Sequence, residues 1–95
     1  SIPDRVRILE NAASLLKKHE TYAAKLIAKE GGKPLVDAQI EVARAVEGIK
    51  IAGKELLRIM RGEEIPMGLT SATKNRKAFT TYEPIGVVVA ISAFN

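Results

Sequence analysis

The sequence predicts an α/β architecture in which N-terminal helices lead to a short arm strand and then to the first strand of a mostly parallel sheet. Three observations predict it. Apolar residues recur at helical spacing through the first sixty positions, and residues 78–82 are rich in threonines and aromatics. Five of the six residues from Val87 to Ser92 are apolar, without the alternation expected of a sheet that has one face in water. A run of that kind fits a central strand covered on both faces. Such a strand needs neighbours that this sequence does not supply. The 95 residues are therefore expected to be a piece of a larger protein.

Each element has its own warrant. The first helix is expected over residues 3–18. Pro3 suits the start of a helix, where a missing N–H costs nothing, and Asp4 complements the positive helix end. Leu9, Ala12, Ala13 and Leu16 fall at i, i+3, i+4 and i+7, widened by Ile8 and Leu15. Lys17, Lys18 and His19 crowd its C-terminal end, and His19 reads as a surface or capping residue. A second helix is expected over 20–30, with Ala23, Leu26 and Ile27 on its apolar side. Gly31-Gly32 ends it, and Lys33-Pro34 opens the next.

The third helix is expected over 34–61. Leu35, Ala38, Val42, Ala45, Ile49, Ala52, Leu56 and Ile59 alternate spacings of three and four, a heptad seam. Val46, Gly53 and Met60 broaden it, which favours packing inside a globular domain over a narrow two-stranded zipper. Gly62 closes the helix. Residues 63–77 read as a connecting loop around Pro66, Gly68 and a polar run. Residues 78–82 are β-prone, and Pro84 confines the preceding strand to an edge or ends it. The apolar strand over 85–92 follows.

Composition narrows the function. Hydrophobic content is 46% and charged content 27%, values of an ordinary globular chain rather than a disordered one. No apolar run approaches the roughly eighteen residues of a spanning helix, and no signal-peptide pattern opens the chain. There is no cysteine and one histidine, so neither thiol chemistry nor a zinc site is expected within the segment. The net charge of +4 comes from lysines and arginines scattered among glutamates. Its densest cluster, Lys74-Asn75-Arg76-Lys77, reads as a solvated loop first and an anion or nucleic-acid contact second. Aromatic content of 4% leaves few platforms for stacking on bases.

The last residues carry a resemblance. Glu83-Pro84-Ile85-Gly86-Val87-Val88, followed by Phe94-Asn95, resembles the segment of NAD(P)-dependent aldehyde dehydrogenases that enters the cofactor domain. Where many members have proline-tryptophan before the asparagine, this chain has Ala93-Phe94. Arg5 with Ile8-Leu9, then Glu30-Gly31-Gly32-Lys33-Pro34, Glu41-Val42, and Gly62 followed by Ile65-Pro66 resemble the family's N-terminal helices in order and spacing.

The resemblance implies that residues 1–77 are the helical N-terminal part of the cofactor-binding domain. Residues 78–84 would then supply a strand of the sheet that bridges subunits, and 85–95 the first strand of a Rossmann-like NAD(P)-binding sheet. It further implies a cytoplasmic homodimer or homotetramer that oxidises a small aldehyde with NAD or NADP, without nucleic acid or membrane as partner. The nucleophilic cysteine of that family would then lie outside this segment, which has none. Asn95 would hold the aldehyde oxygen with its side-chain amide, and Ser92, Ala93, Phe94 and Asn95 would line the cofactor's path. From spacing alone Asn95 reads first as an asparagine capping the next turn, and ordinary strand-end packing is the alternative for residues 92–94. Glu30, Lys33 and Glu41 sit on helix ends and faces and read as structural. No G-x-G-x-x-G phosphate loop is present. A helical interaction module pairing through the seam from Leu35 to Ile59 is the competing reading, and a small basic nucleic-acid binder a weaker third.

Overall fold

The computed structural model describes residues 1–66, Gly68 and residues 70–92; Met67, Leu69, Ala93, Phe94 and Asn95 lie outside the described residues. It is mostly helical with one small two-stranded sheet. Helix α1 (Ile2–Lys18) opens on a capping box. The Ser1 hydroxyl accepts from the Asp4 N–H at 3.3 Å, and the Asp4 carboxylate reaches back to Ser1. The hydrogen bond from Ser1, and then the neighbouring terminal ammonium, hold the Asp4 carboxyl below its ordinary pKa.

α1 passes into α2 (Glu20–Gly31) through a bend at His19. The His19 N–H still donates to the carbonyls of Leu15 and Leu16, and its own carbonyl accepts from Ala23. The chain turns there with few backbone groups left unpaired, which is why no glycine or proline is needed. α2 stops at Gly32, whose φ of 68° is open to glycine and strained for other residues. Helix α3 (Leu35–Ile59) starts after Pro34, whose carbonyl accepts from Asp37 and Ala38. At 25 residues it spans about 37 Å and is the spine on which both other helices pack.

α1 runs antiparallel to the C-terminal part of α3. Gly53 faces Val6 and Leu9, while Lys17, nearly three turns on, lies close enough to Glu47 to act on its carboxyl. α2 packs on the first turns of α3, where Ala24, Ala38 and Val42 form a buried cluster with Leu16, Ala23, Ile27 and Ala28 around it. The buried apolar side chains are small: Ala13, Ala24, Ala38, Val42 and Val46. Close helix approach is the result, and among the described residues only Val42 and Val46 are of the size whose full burial contributes about 1.5–3 kcal/mol each.

The heptad seam does not coincide with the packed face. Ala38, Val42, Val46 and Gly53 are buried, with Ile49 and Leu56 half-buried between them. Leu35, Ala45, Ala52 and Ile59 are exposed. A seven-residue repeat falls back by about 20° per heptad on a helix that does not supercoil. Ala45, Ala52 and Ile59 therefore rotate progressively off the contact line, and the residues that broaden the stripe in the sequence replace them.

Beyond α3 the chain reverses at Gly62, with φ of 70°. β1 (Glu64–Ile65) pairs antiparallel with β2 (Ala78–Phe79), Glu64 opposite Phe79 and Ile65 opposite Ala78. Residues expected to be only a loop thus contain β1 and a short 3-10 turn, Ser71–Thr73. Thr80 fastens the far end. Its N–H donates to the Glu63 carbonyl at 2.8 Å, and its hydroxyl accepts from the Glu63 N–H at 2.8 Å. Residues 80–92 form no helix or strand. The apolar run has strand-forming composition, but among the described residues it pairs with nothing.

Candidate functional site

The residues expected to carry the chemistry cluster at the end of the chain. Ala93, Phe94 and Asn95 lie outside the described residues, and Ser92 is exposed in a stretch without regular structure. The approach to them is described. Pro84 lacks an N–H, and Gly86 adopts φ of 113°, a conformation L side chains rarely enter, so the chain redirects just before the apolar run. Ile85 and Ile91 are each 92% exposed, and Val87 wholly so. The segment that would present Asn95 is therefore held by no packing among the described residues.

The other candidates are resolved by geometry. Lys33 and Glu41 come together across the α2–α3 turn, Nζ to Oε2 at 2.6 Å, with the Lys33 side chain largely covered. They share a surface depression with Asp37, Ile40 and Arg44. This pair fastens the joint between two helices, the structural role read from the sequence. Glu30 borders a neighbouring hollow with Ile27 and Gly31, and Glu41 lines both. His19 is exposed and caps both helices it joins. Lys74, Arg76 and Lys77 are exposed in the loop before β2, Arg76 and Lys77 beside Thr70 and Thr73. Among the described residues no group of three or more His, Cys, Asp or Glu could hold a metal ion, and no helix is long and apolar enough to cross a membrane.

Sequence reasoning missed the closure of Gly62 and Glu63 on Thr80, which sets where the chain departs toward its last residues. The signal was present: a glycine two positions past the helix cap at Met60, followed by a threonine in a β-prone run. Gly62 was legible only as a stop, because the carbonyl it must accommodate is 18 residues away.

Likeness to known proteins bears on the whole length. The profile of the aldehyde dehydrogenase family matches residues 1–95. The chain is 38% identical over 92 residues to the 3-sulfolactaldehyde dehydrogenase of Priestia aryabhattai, covering 97% of this chain and 19% of that protein. It is 36% identical over 94 residues to the lactaldehyde dehydrogenase of Methanocaldococcus jannaschii, covering 99% and 19%. With the NADP-dependent glyceraldehyde-3-phosphate dehydrogenase of Triticum aestivum it shares 32% over 93 residues, covering 96% and 19%. The chain thus spans about a fifth of the length of these relatives. No solved structure matches it. With the family profile matched from the capping box of α1 through the apolar run to Asn95, the chain belongs to the aldehyde dehydrogenase family.

Proposed function

We propose that the chain is the N-terminal part of the cofactor-binding domain of an NAD(P)-dependent aldehyde dehydrogenase that oxidises an aldehyde to a carboxylic acid. The observation that carries this reading is the family match over residues 1–95, which includes the segment from Glu83 to Asn95. In the proposed enzyme the apolar run 87–91 is the first strand of a Rossmann-like sheet, a context that would supply the ladder and cover it lacks. The strand Ala78–Phe79 extends the sheet that joins subunits into a homodimer or homotetramer.

A cysteine outside this segment would attack the aldehyde carbon, giving a thiohemiacetal whose oxygen carries developing negative charge. NAD or NADP, when bound, would accept the hydride. The described residues do not by themselves form a dinucleotide site; Ser92, Ala93, Phe94 and Asn95 would supply one edge of it. The part assigned to this chain is the Asn95 amide, donating to the oxyanion from the carboxyl end of a strand, where open parallel sheets bind ligands. Loss of one such donor costs roughly 10²–10³ in kcat. Two of the relatives above are named for aldehydes bearing a sulfonate or a phosphate. A short anionic aldehyde is therefore the first substrate to try.

Steady-state kinetics on the full-length enzyme tests the assignment. Asn95→Ala is expected to lower kcat by roughly 10²–10³ while leaving cofactor affinity nearly unchanged, because the lost hydrogen bond strengthens in the transition state. A variant with near-normal kcat would return Asn95 to turn capping.

A further inference from the structure

Among the described residues four glycines hold positive φ, and two of them are explained where they stand. Gly32 ends α2, and Gly62 makes room for the Thr80 carbonyl. Gly86, with φ of 113°, is different. It belongs to no helix end and no ladder, and a Cβ built on it meets nothing within 4 Å. Packing among the described residues therefore does not call for a glycine here; the backbone conformation alone does. A sparsely used conformation with no local cause is the kind found where function sets the backbone.

Its place along the chain says which function. The chain is anchored at Thr80 by the reciprocal bonds to Glu63, and from there to Ser92 it forms no helix or strand. Between that anchor and the apolar run stand Pro84, whose ring fixes its own φ, and Gly86, which together make an elbow. The run that leaves the elbow leads to Asn95, nine positions beyond Gly86. An extended strand of that length would span about 30 Å, so a swing of about 5° at the elbow would carry its far end about 2–3 Å. Neighbouring strands would resist most of that swing. A residual displacement of about 1 Å is already enough to cost about 10² in rate.

We propose that Gly86 is a positioning residue for the Asn95 amide: its backbone conformation sets the line along which the strand enters the sheet, and so where the oxyanion donor stands. The inference rests on the reading of Asn95 given above. Glycine permits the turn without holding it; the surrounding sheet of the full-length enzyme would hold it. A side chain at Gly86 has open space, so it acts through the backbone alone, drawing the chain toward negative φ and the strand onto a different line.

A kinetic double-mutant cycle on the full-length enzyme tests this, with Gly68→Ala as the control. Gly68 also has positive φ, 80°, and open space for a Cβ, but it lies on the other side of the Thr80 anchor from Asn95. Gly86→Ala is expected to lower kcat at least about tenfold in the parent enzyme. In the Asn95→Ala background it is expected to lower kcat by less than about threefold, because a donor already absent cannot be misplaced. Gly68→Ala is expected to leave kcat unchanged. A merely structural role would give equal factors in both backgrounds, and that result overturns the proposal. So would near-normal kcat in Gly86→Ala, or a loss in Gly68→Ala as large as that in Gly86→Ala. If Gly86→Ala does not fold, Gly86→Asn takes its place in the same cycle, since asparagine enters positive φ more readily than alanine, and the same outcomes decide. Near-normal kcat in Asn95→Ala defeats the functional reading and this proposal together. The expected loss in Asn95→Ala with equal factors for Gly86→Ala defeats this proposal alone.

Discussion

Gly62 occupies a backbone conformation that costs an ordinary residue about 1–2 kcal/mol, and a Cβ placed there would overlap the Thr80 carbonyl oxygen. Gly62→Ala is therefore expected to destabilise the full-length protein by more than that conformational cost alone, read by urea unfolding. Gly53→Ala is the control. Its backbone is helical and the new Cβ would sit 3.8 Å from Leu9, an ordinary contact, so the change should be neutral or stabilising by about 0.5–1 kcal/mol. At the same scale, Lys50 donates to Glu47 at 2.8 Å, and this hydrogen bond is the main cause holding the Glu47 carboxyl below its ordinary 4.5. A lowered carboxyl pKa favours the folded state at neutral pH, and that contribution is lost as pH falls through the folded value. Lys50→Gln should move the Glu47 titration upward toward 4.5, followed by carboxyl carbon shifts in glutamate-labelled protein.

At the scale of elements, the helices were legible because each carries its own signals. Expected spans of 3–18, 20–30 and 34–61 became Ile2–Lys18, Glu20–Gly31 and Leu35–Ile59. Asp4, the Gly31-Gly32 pair and Pro34 mark boundaries through local chemistry that needs no partner. Which face of α3 packs was less legible, since it depends on two helices approaching at different points along 25 residues. The strands were least so. Glu64–Ile65 is too short to show alternation, and pairing is a relation between segments, not a property of one. The same reason separates the strand expected over 85–92 from the unpaired run observed. The candidate site shares this limit, for Asn95 is proposed from motif alone and lies outside the described residues, while Ser92 stands in open chain. The joint between α2 and α3 gives a test of its own. Glu41→Ala removes one partner, at 2.6 Å, from a mostly covered Lys33. An expected loss of about 1 kcal/mol, modest because Glu41 is itself partly in water, should shrink in a double-mutant cycle with Lys33→Met.

The whole molecule is drawn out. Its radius of gyration is 19.8 Å, with extents of 61 × 27 × 22 Å, where a compact chain of this size would have about 12 Å. Small buried residues in the helices and large exposed ones in the tail leave the segment poor in core. The isolated 95-residue chain is expected to bind an environment-sensitive apolar dye strongly, and the full-length protein to bind it weakly. The isolated chain should also reduce no cofactor in the presence of aldehyde, since it contains no cysteine to attack the carbonyl. Turnover by the purified segment, free of any longer form, would show that the chemistry had been assigned to the wrong nucleophile.

Thr80 and Glu63, 17 positions apart and joined by reciprocal hydrogen bonds, turn the intervening chain into a ring with a fixed gate. The entropy of closing a ring rises only with the logarithm of its length, by about 0.6 kcal/mol for each doubling. A peptide spliced between Lys74 and Asn75 would enlarge the ring while leaving its gate, and everything anchored on either side, in place. That makes this stretch a port through which a tag or reporter could be carried, with an unshifted Tm, and retained activity in the proposed enzyme, as the signs that the gate had held.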